Sequence, residues 1–593
     1  MIASEMTHLV PGLNSIATAL PAPLAHEVSR ELSRCAGNGL MARLWNRDAG
    51  LWTGKDESQW MGWLDIPERM RRMLPTLSSF REEAKAFSHV LLLGMGGSSL
   101  GPEVLSRTFT NPAPANASHS STAGWPRLHV LDSTDPRQIR EMEDSLDLAR
   151  TLVIVSSKSG STLEPNILKA YFHDRLAAVV GPEEAARRFV AVTDPGTALD
   201  TMAKAEGFRR LFLGDPEIGG RYSVLSPFGL VPAAAMGLDL DRFLGEARRM
   251  EIACAAGTAA PSNPGLVLGV VLGVAARHKR DKATILATPA VEGFASWAEQ
   301  LIAESTGKTG LGIIPLDGLP VGAVEDYGND RLFIHLSLHG EADPQNAALD
   351  ALAAAGHPVI RIEMHDRYAI AQEFFRWEIA TAVAGSILGI DPFDQPDVES
   401  SKTATRTLTA AYERDGSLPA ETPFFEDAHI ALYANEANRD ALLASAPQQT
   451  LDAFLKAHFD RLNTGDYAAL LAFLPRDPEN EARIARMRLP LRAGKKVAVC
   501  TGFGPRFLHS TGQAYKGGPN TGVFLQITCD DAQDLSVPGH CYSFGVVKAA
   551  QARGDFEVLN ERGRRALRVH LHGDLSTGLD RLARAIEAAV SRV

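Results

Sequence analysis

The chain has 593 residues, 45% of them hydrophobic and 22% charged, with a formal net charge of −11. Its length exceeds what one core can organise and predicts roughly two to four domains of an ordinary soluble globular kind. An acidic chain without a basic tract excludes nucleic acid as the main ligand and leaves a small anion open, because a few local cations override a distant net charge.

The opening "MIASEMTHLV" lacks a basic n-region leading into a long apolar segment, so no signal peptide is expected and the cytoplasm is the expected location. Residues 1–70 are predicted as a helical N-terminal segment, with "LAHEVSRELSRC" amphipathic and "LWTGKDESQWMGWLDIP" rich in aromatics. From residue 71 the runs "HVLLLGMGG", "LHVLDST", "TLVIVSSKSG", "FVAVTDPG" and "RLFLGDP" alternate with helical stretches. That alternation predicts βαβ units and a mainly parallel sheet over residues 71–250. "NPAPANASHSSTAGWP" (Asn111–Pro126) is predicted as a surface loop. "GLVLGVVLGVAA" (Gly265–Ala276) is shorter than the roughly 20 residues of a membrane span and predicts a buried helix.

A second series over 251–410 contains "ATILATP", "GLGIIPL", "RLFIHLSLHG", "PVIRIEM" and the long apolar helix "AIAQEFFRWEIATAVAGSILGI". "ERDGSLPAETPFFED" (Glu413–Asp427) reads as a linker. Residues 411–593 then form an α/β extension, a helical stretch followed by "KKVAVC", "VFLQITC" and "RALRVHL", expected to complete the second domain. No short-period repeat is present; the two α/β series are candidates for related domains. The five cysteines (Cys35, Cys254, Cys500, Cys529, Cys541) form no CxxC pair, so neither a zinc site nor a disulfide framework is expected.

Several motifs carry chemistry. "GMGGSSLG" (Gly94–Gly101) follows a strand, where glycines let the backbone turn and approach a ligand, although a plain tight turn accounts for it equally well. "SSKSGSTLEP" crowds Ser157, Ser159, Ser161 and Thr162 around Lys158 at a predicted helix start. That is what a phosphate monoester needs, and it exceeds what an N-cap requires. "GGRYSVLSPFGL" places Arg221 after two glycines, where a fixed guanidinium can stabilise an oxyanion or simply pair on the surface. "WAEQLIAESTGKTG" ends a helix with Glu304; a carboxylate at the negative end of the dipole holds its proton more tightly, which suits a general base. "DPFDQPDVESSK" supplies Gln395 and Lys402. His335 and His339, four apart on a predicted strand, lack a third ligand, so they are read as ordinary strand histidines and no metal is expected.

Five ordered motifs, "GMGGSSLGP", "SSKSGSTLEP", "GGRYSVLSP", "AESTGK" and "FDQPDVESSK", resemble the glucose-6-phosphate (phosphoglucose) isomerase family from about residue 85 to 405, and again around His509. The resemblance implies an α/β fold of two doubly wound parallel-sheet sugar-isomerase (SIS-type) domains. It also implies a cofactor-free aldose–ketose isomerase of glycolysis and gluconeogenesis, dimeric, acting on a hexose 6-phosphate through a cis-enediol. By the same resemblance Ser157, Ser159 and Thr162 hold the phosphate with Lys158 in their loop. Gly97 and Ser98 line the sugar site, and Gln395 contacts substrate. Glu304 is the base, Arg221 stabilises the enediolate, and Lys402 assists ring opening with a histidine.

That histidine is displaced. The family's "HS-x-x-Q" segment normally follows the glutamate by a few tens of residues, but "LGIIPLDGLPVGAVEDYGNDRLF" has no histidine. "LHSTGQAYKGG", with His509 and Gln513, carries the pattern far downstream. A βα unit moved to the C-terminal side, still presenting its loop at a strand's carboxyl end, accounts for this. The aromatic segment and the extension resemble bacterial forms fused behind a transaldolase; no such barrel is read here, so only the isomerase activity is expected. A non-catalytic sugar-phosphate sensor, and an isomerase that also accepts mannose 6-phosphate, are the alternatives.

Overall fold

The structure is a computed structural model that describes residues 10–110 and 124–591, so most of the loop expected at 111–126 lies outside the described residues. The chain enters with strand β1 (Ser15–Ala19) and the helix Ala22–Gly37, whose leucine, valine and cysteine stripe is buried. The N-terminal segment is therefore not wholly helical: β1 pairs antiparallel with a strand some 340 residues later in the chain.

Three sheets follow, each built from short apolar strands. The first contains β2 (His89–Gly94), β3 (Arg127–Leu131), β4 (Thr151–Ser156), β5 (Phe189–Thr193) and β6 (Arg210–Leu213). All are parallel, in the order β3-β2-β4-β5-β6. The second contains β7 (Lys282–Ala287), β8 (Ile314–Asp317), β9 (Arg331–Leu338) and β10 (Val359–Met364), parallel in the order β8-β7-β9-β10, with β1 on the β10 edge.

The extension does not add strands to the second sheet. It forms a third sheet, from β11 (Phe425–Glu426), β12 (Ile430–Tyr433), β13 (Tyr467–Phe473), β14 (Ala498–Phe503), β15 (Gly522–Cys529) and β16 (Arg565–Leu571). Its parallel core runs β14-β13-β15-β16, with the antiparallel β12 and β11 on the β16 edge. The reason is β13, "YAALLAF", which is buried along its whole length. A short all-apolar run has no period to separate strand from helix, and this strand nucleates a separate apolar core around Leu470, Val499, Leu525 and Val569.

Each parallel core has the same winding: the second strand in sequence, then the first, third and fourth. Such sheets bind ligands at the carboxyl ends of the strands where the winding reverses. Sheets two and three meet along β8 and β14. Arg331 donates to the Val497 carbonyl at 2.7 Å and Arg488 to that of Asp317 at 2.8 Å. Beneath them Ala303, Ile314 and Leu316 share a core with Tyr467, Cys500, Phe507 and Leu508.

The apolar run near 265 is the helix Pro264–Arg277, buried against the helix Ile370–Leu388. Gly269 allows the close approach, since a Cβ there would sit 2.5 Å from the Ala380 carbonyl. Among the described residues no helix is long and apolar enough to cross a membrane.

Candidate active site

The hydroxyl-rich loop leaves β4 at the point where the first sheet reverses its winding. Ser157 donates to the Thr162 hydroxyl at 3.2 Å, and the Ser161 hydroxyl to that of Ser159 at 3.1 Å. Thr162 is the N-cap of the helix Leu163–Val180 but makes no side-chain capping bond. The hydroxyls tie to one another rather than to the helix's first N–H groups, so the loop is not a capping device, and those donors with the positive helix end suit an anion.

Lys158 departs from the reading of this loop. Its ammonium pairs with Asp194 and donates to the Asp215 carbonyl at 3.0 Å. The loop continues the pairing of β4 with β5, since Ser157 N–H reaches the Val192 carbonyl and Asp194 N–H that of Lys158. Extended backbone alternates its side chains, so residue 158 faces away from 157 and 159.

A cavity of about 150 Å³ opens over this loop. Ser159, Thr162, Lys402 and His509 line it, with Arg406 and Gln551. Lys402 and Arg406 project from the helix Pro396–Asp415, Lys402 donating to Glu399 at 2.7 Å. They supply the cations that Lys158 does not. His509 closes a single 3-10 turn, Arg506–His509, just past the carboxyl end of β14.

Its Nε2 lies 2.9 Å from Glu164 Oε1, which also accepts from Gln551 at 2.6 Å; Thr134 in turn donates to Gln551 at 2.7 Å. Burial works against the Glu164 charge, but the His509 imidazole and its hydrogen bond more than offset it, and the carboxyl lies below the usual glutamate range. Glu164 and Gln551 were not singled out in the sequence. The signal for Glu164 was its place inside the hydroxyl loop motif; Gln551 has none, being one polar residue on the largely buried helix Phe544–Glu561.

A second cluster adjoins the first. Glu304, 8% exposed, sits in the last turn of the helix Phe294–Thr306, and Arg221 Nη1 lies 3.3 Å from its Oε1. Arg221 is fully sequestered. It donates to Ser305 Oγ at 2.7 Å, Gln395 Oε1 at 2.9 Å and the Pro392 carbonyl at 2.6 Å. Gln395, an exposed residue, thereby positions the guanidinium through its side-chain oxygen. Trp63 from the N-terminal aromatic segment stacks on Tyr222 at 5.1 Å and packs near Phe393, bracing both sides of this mount.

The two clusters are joined by one side chain. Gln300 Nε2 donates to Glu304 Oε2 at 3.0 Å and to the His509 carbonyl at 2.8 Å. Gly96 (φ +55°) and Gly97 make room for the junction. A Cβ on Gly96 would lie 2.7 Å from the His509 carbonyl oxygen, and one on Gly97 only 1.9 Å from that of Gly220. Ser98 is buried in the same turn. Gln513 fixes the segment after His509, donating to the Gly307 carbonyl at 3.0 Å and to Asp397 at 2.8 Å.

The two strand histidines are not partners: His335 faces Asp343 and His339 faces Glu363. The arrangement as a whole offers a carboxylate beside a guanidinium, an imidazole held by a carboxylate, and an anion cradle between two helices.

Residues 64–312 match the family model described as phosphoglucose isomerase. The chain is 31% identical over 383 residues to a glucose-6-phosphate isomerase of Rubrobacter xylanophilus, covering 58% of this chain and 84% of that protein. A glucose-6-phosphate isomerase of Enterococcus faecalis is 29% identical over 397 residues, 58% of this chain and 85% of that one. Among solved structures, a hypothetical protein of Thermus thermophilus superposes with a TM-score of 0.57 at 27% identity, over 66% of this chain and 99% of that one. The glucose-6-phosphate isomerase of Chlamydia trachomatis shares the fold, with a TM-score of 0.50 at 20% identity over 63% and 78% of the two chains.

Proposed function

The chain belongs to the phosphoglucose isomerase family and is an enzyme of that family, and from that premise we propose that it interconverts glucose 6-phosphate and fructose 6-phosphate through a cis-enediol. The phosphate sits on Ser157, Ser159 and Thr162 at the helix start, with Lys402 and Arg406 above it. His509 and Lys402 move the proton between the C1 hydroxyl and the ring oxygen as the ring opens. Glu304 takes the proton from C2 and returns it to C1 while the C2 hydroxyl proton passes to the C1 oxygen, and Arg221 stabilises the negative oxygen that develops between. Glu164 holds His509 in orientation throughout.

The observation that carries this reading is the Gln300 amide, which binds the base and the histidine segment at once although Gln300 and His509 stand 209 positions apart in sequence. General base catalysis needs one carboxylate near both carbons, with remote phosphate binding supplying orientation. The homodimer implied by the resemblance and the cytoplasmic location expected from the sequence are part of this proposal.

A coupled assay with fructose 6-phosphate tests it: glucose 6-phosphate should form at nanomolar enzyme. None at micromolar enzyme would favour a sensor. Glu304→Gln should lose nearly all turnover while a sugar phosphate still binds; substantial retained activity removes Glu304 from its role.

A further inference from the structure

Away from the catalytic groups, three ligand-type side chains meet where β15 and β16 end. Asp530 directly follows β15, His570 lies in β16 and His572 just beyond it. One ligand atom from each lies within 4.8 Å of the other two. His570 Nε2 is 2.9 Å from Asp530 Oδ1, and His572 Nδ1 is 3.2 Å from Asp530 Oδ2. Around a zinc ion with bonds of about 2.0–2.1 Å, tetrahedral ligand atoms stand about 3.3 Å apart, so a small cation would draw together three ligand atoms that lie within 4.8 Å of one another.

The sheet dictates the convergence. Alternation along the strand direction puts residues 570 and 572 on one face. Register aligns Glu426, Ala431, His570 and Thr528 in one row across four strands. Ala431, between Glu426 and His570, adds only a methyl group to that row.

Each imidazole also has a partner on its far side. Thr528 Oγ1 lies 2.9 Å from His570 Nδ1, and Glu426 Oε1 lies 3.7 Å from His572 Nε2. Outer groups of this kind fix which ring nitrogen presents its lone pair inward. His572 Nε2 is buried with no hydrogen-bond partner. A bare ion pair with Asp530 leaves that nitrogen unsatisfied. Once a cation takes the Nδ1 lone pair, Nε2 must carry the proton, and Glu426 is placed to receive it.

We propose that Asp530, His570 and His572 bind a divalent transition cation of the zinc type at the carboxyl ends of β15 and β16, with Thr528 and, from β11, Glu426 as outer partners. The fourth position is left for water.

The test uses untagged full-length chain stripped with chelator and titrated with zinc at neutral pH by calorimetry. Cobalt(II) then serves as an optical probe of tetrahedral coordination. One ion per chain should bind at micromolar or lower concentration, and cobalt should give the intense visible bands of a tetrahedral site. Asp530→Asn and His572→Ala should each abolish stoichiometric binding, and Thr528→Val should weaken it by about 10-fold. Unchanged isomerase activity in these variants shows that they fold. Absence of a one-to-one event in the stripped parent, or binding that survives both ligand substitutions, overturns the proposal.

Discussion

Gly97 leaves no space for a side chain: a Cβ would lie 1.9 Å from the carbonyl oxygen of Gly220, the residue before Arg221. Gly97→Ala must push that turn outward and carry the guanidinium with it. Overpacking of this kind costs about 1–3 kcal/mol. A misplacement near 1 Å costs a rate on the order of 10²-fold. The variant should melt only modestly lower yet lose far more in kcat; equal, small effects on both would show that the turn yields without moving Arg221.

His509 and Glu164 form the other residue-scale unit. His509→Ala should slow reaction on ring-closed substrate more than on an open-chain analogue, and Glu164→Gln should show the same asymmetry more weakly. Equal slowing on both substrates in a stopped-flow comparison would take His509 out of ring opening.

At this scale the sequence put forward Glu304, Arg221 and His509 from their motifs, and the structure brings the three into adjoining clusters. It misled at Lys158, where a cation in an anion-binding loop faces away because strand alternation continues one residue further than the motif shows. Gln300 and Gln551 were illegible for a different reason: each makes a decisive bond to a residue distant in sequence.

Among the elements, the strap 391–395 is the one on which the site's charge depends most. It supplies the Pro392 and Asp394 carbonyls and the Gln395 side chain to Arg221. Lys308, just past the Glu304 helix, holds the strap by pairing with Asp394 at 2.7 Å. Burial, reinforced by Arg221 and opposed by Asp394, pushes the Lys308 ammonium down to about 8. The protonated form, which dominates below that pH, is the one that grips Asp394. As pH rises through about 8 the grip is lost, so kcat/KM should fall on the alkaline side with an apparent pKa near 8. Lys308→Met should start lower at neutral pH and lack that limb. A parent profile that stays flat well into the alkaline range would show that the strap stands without the lysine.

Most strands of the first two sheets were readable because each pairs an apolar run with a glycine or proline boundary. β13 was not, since a helix and a fully buried strand look alike over seven apolar residues. Nor was β1, whose alternation of exposed and buried positions makes sense only against β10.

Across the whole molecule, the repeated winding is what makes the proposed role of His509 possible, although it stands so far from Glu304 in sequence. β8 and β14 are each the second strand in sequence of their parallel core, and they are the strands along which sheets two and three meet. The segment after β8 is where the resemblance puts the family histidine; the segment after β14 is where His509 stands. Equivalent loops on two abutting sheets reach neighbouring space, so the imidazole can be supplied from either. The third sheet presents it, and the shared core of Ala303 with Phe507 and Leu508 fixes it against the Glu304 helix.

Within the chain, the Gln300 amide ties the His509 backbone carbonyl to Glu304. Specific activity should therefore stay constant on dilution through any dissociation of a dimer, from micromolar to picomolar enzyme with carrier protein present. Sedimentation at the same concentrations reports the oligomer. A drop in activity that tracks the appearance of monomer would mean that a neighbouring copy completes the site, and that the third sheet alone does not hold His509 in place.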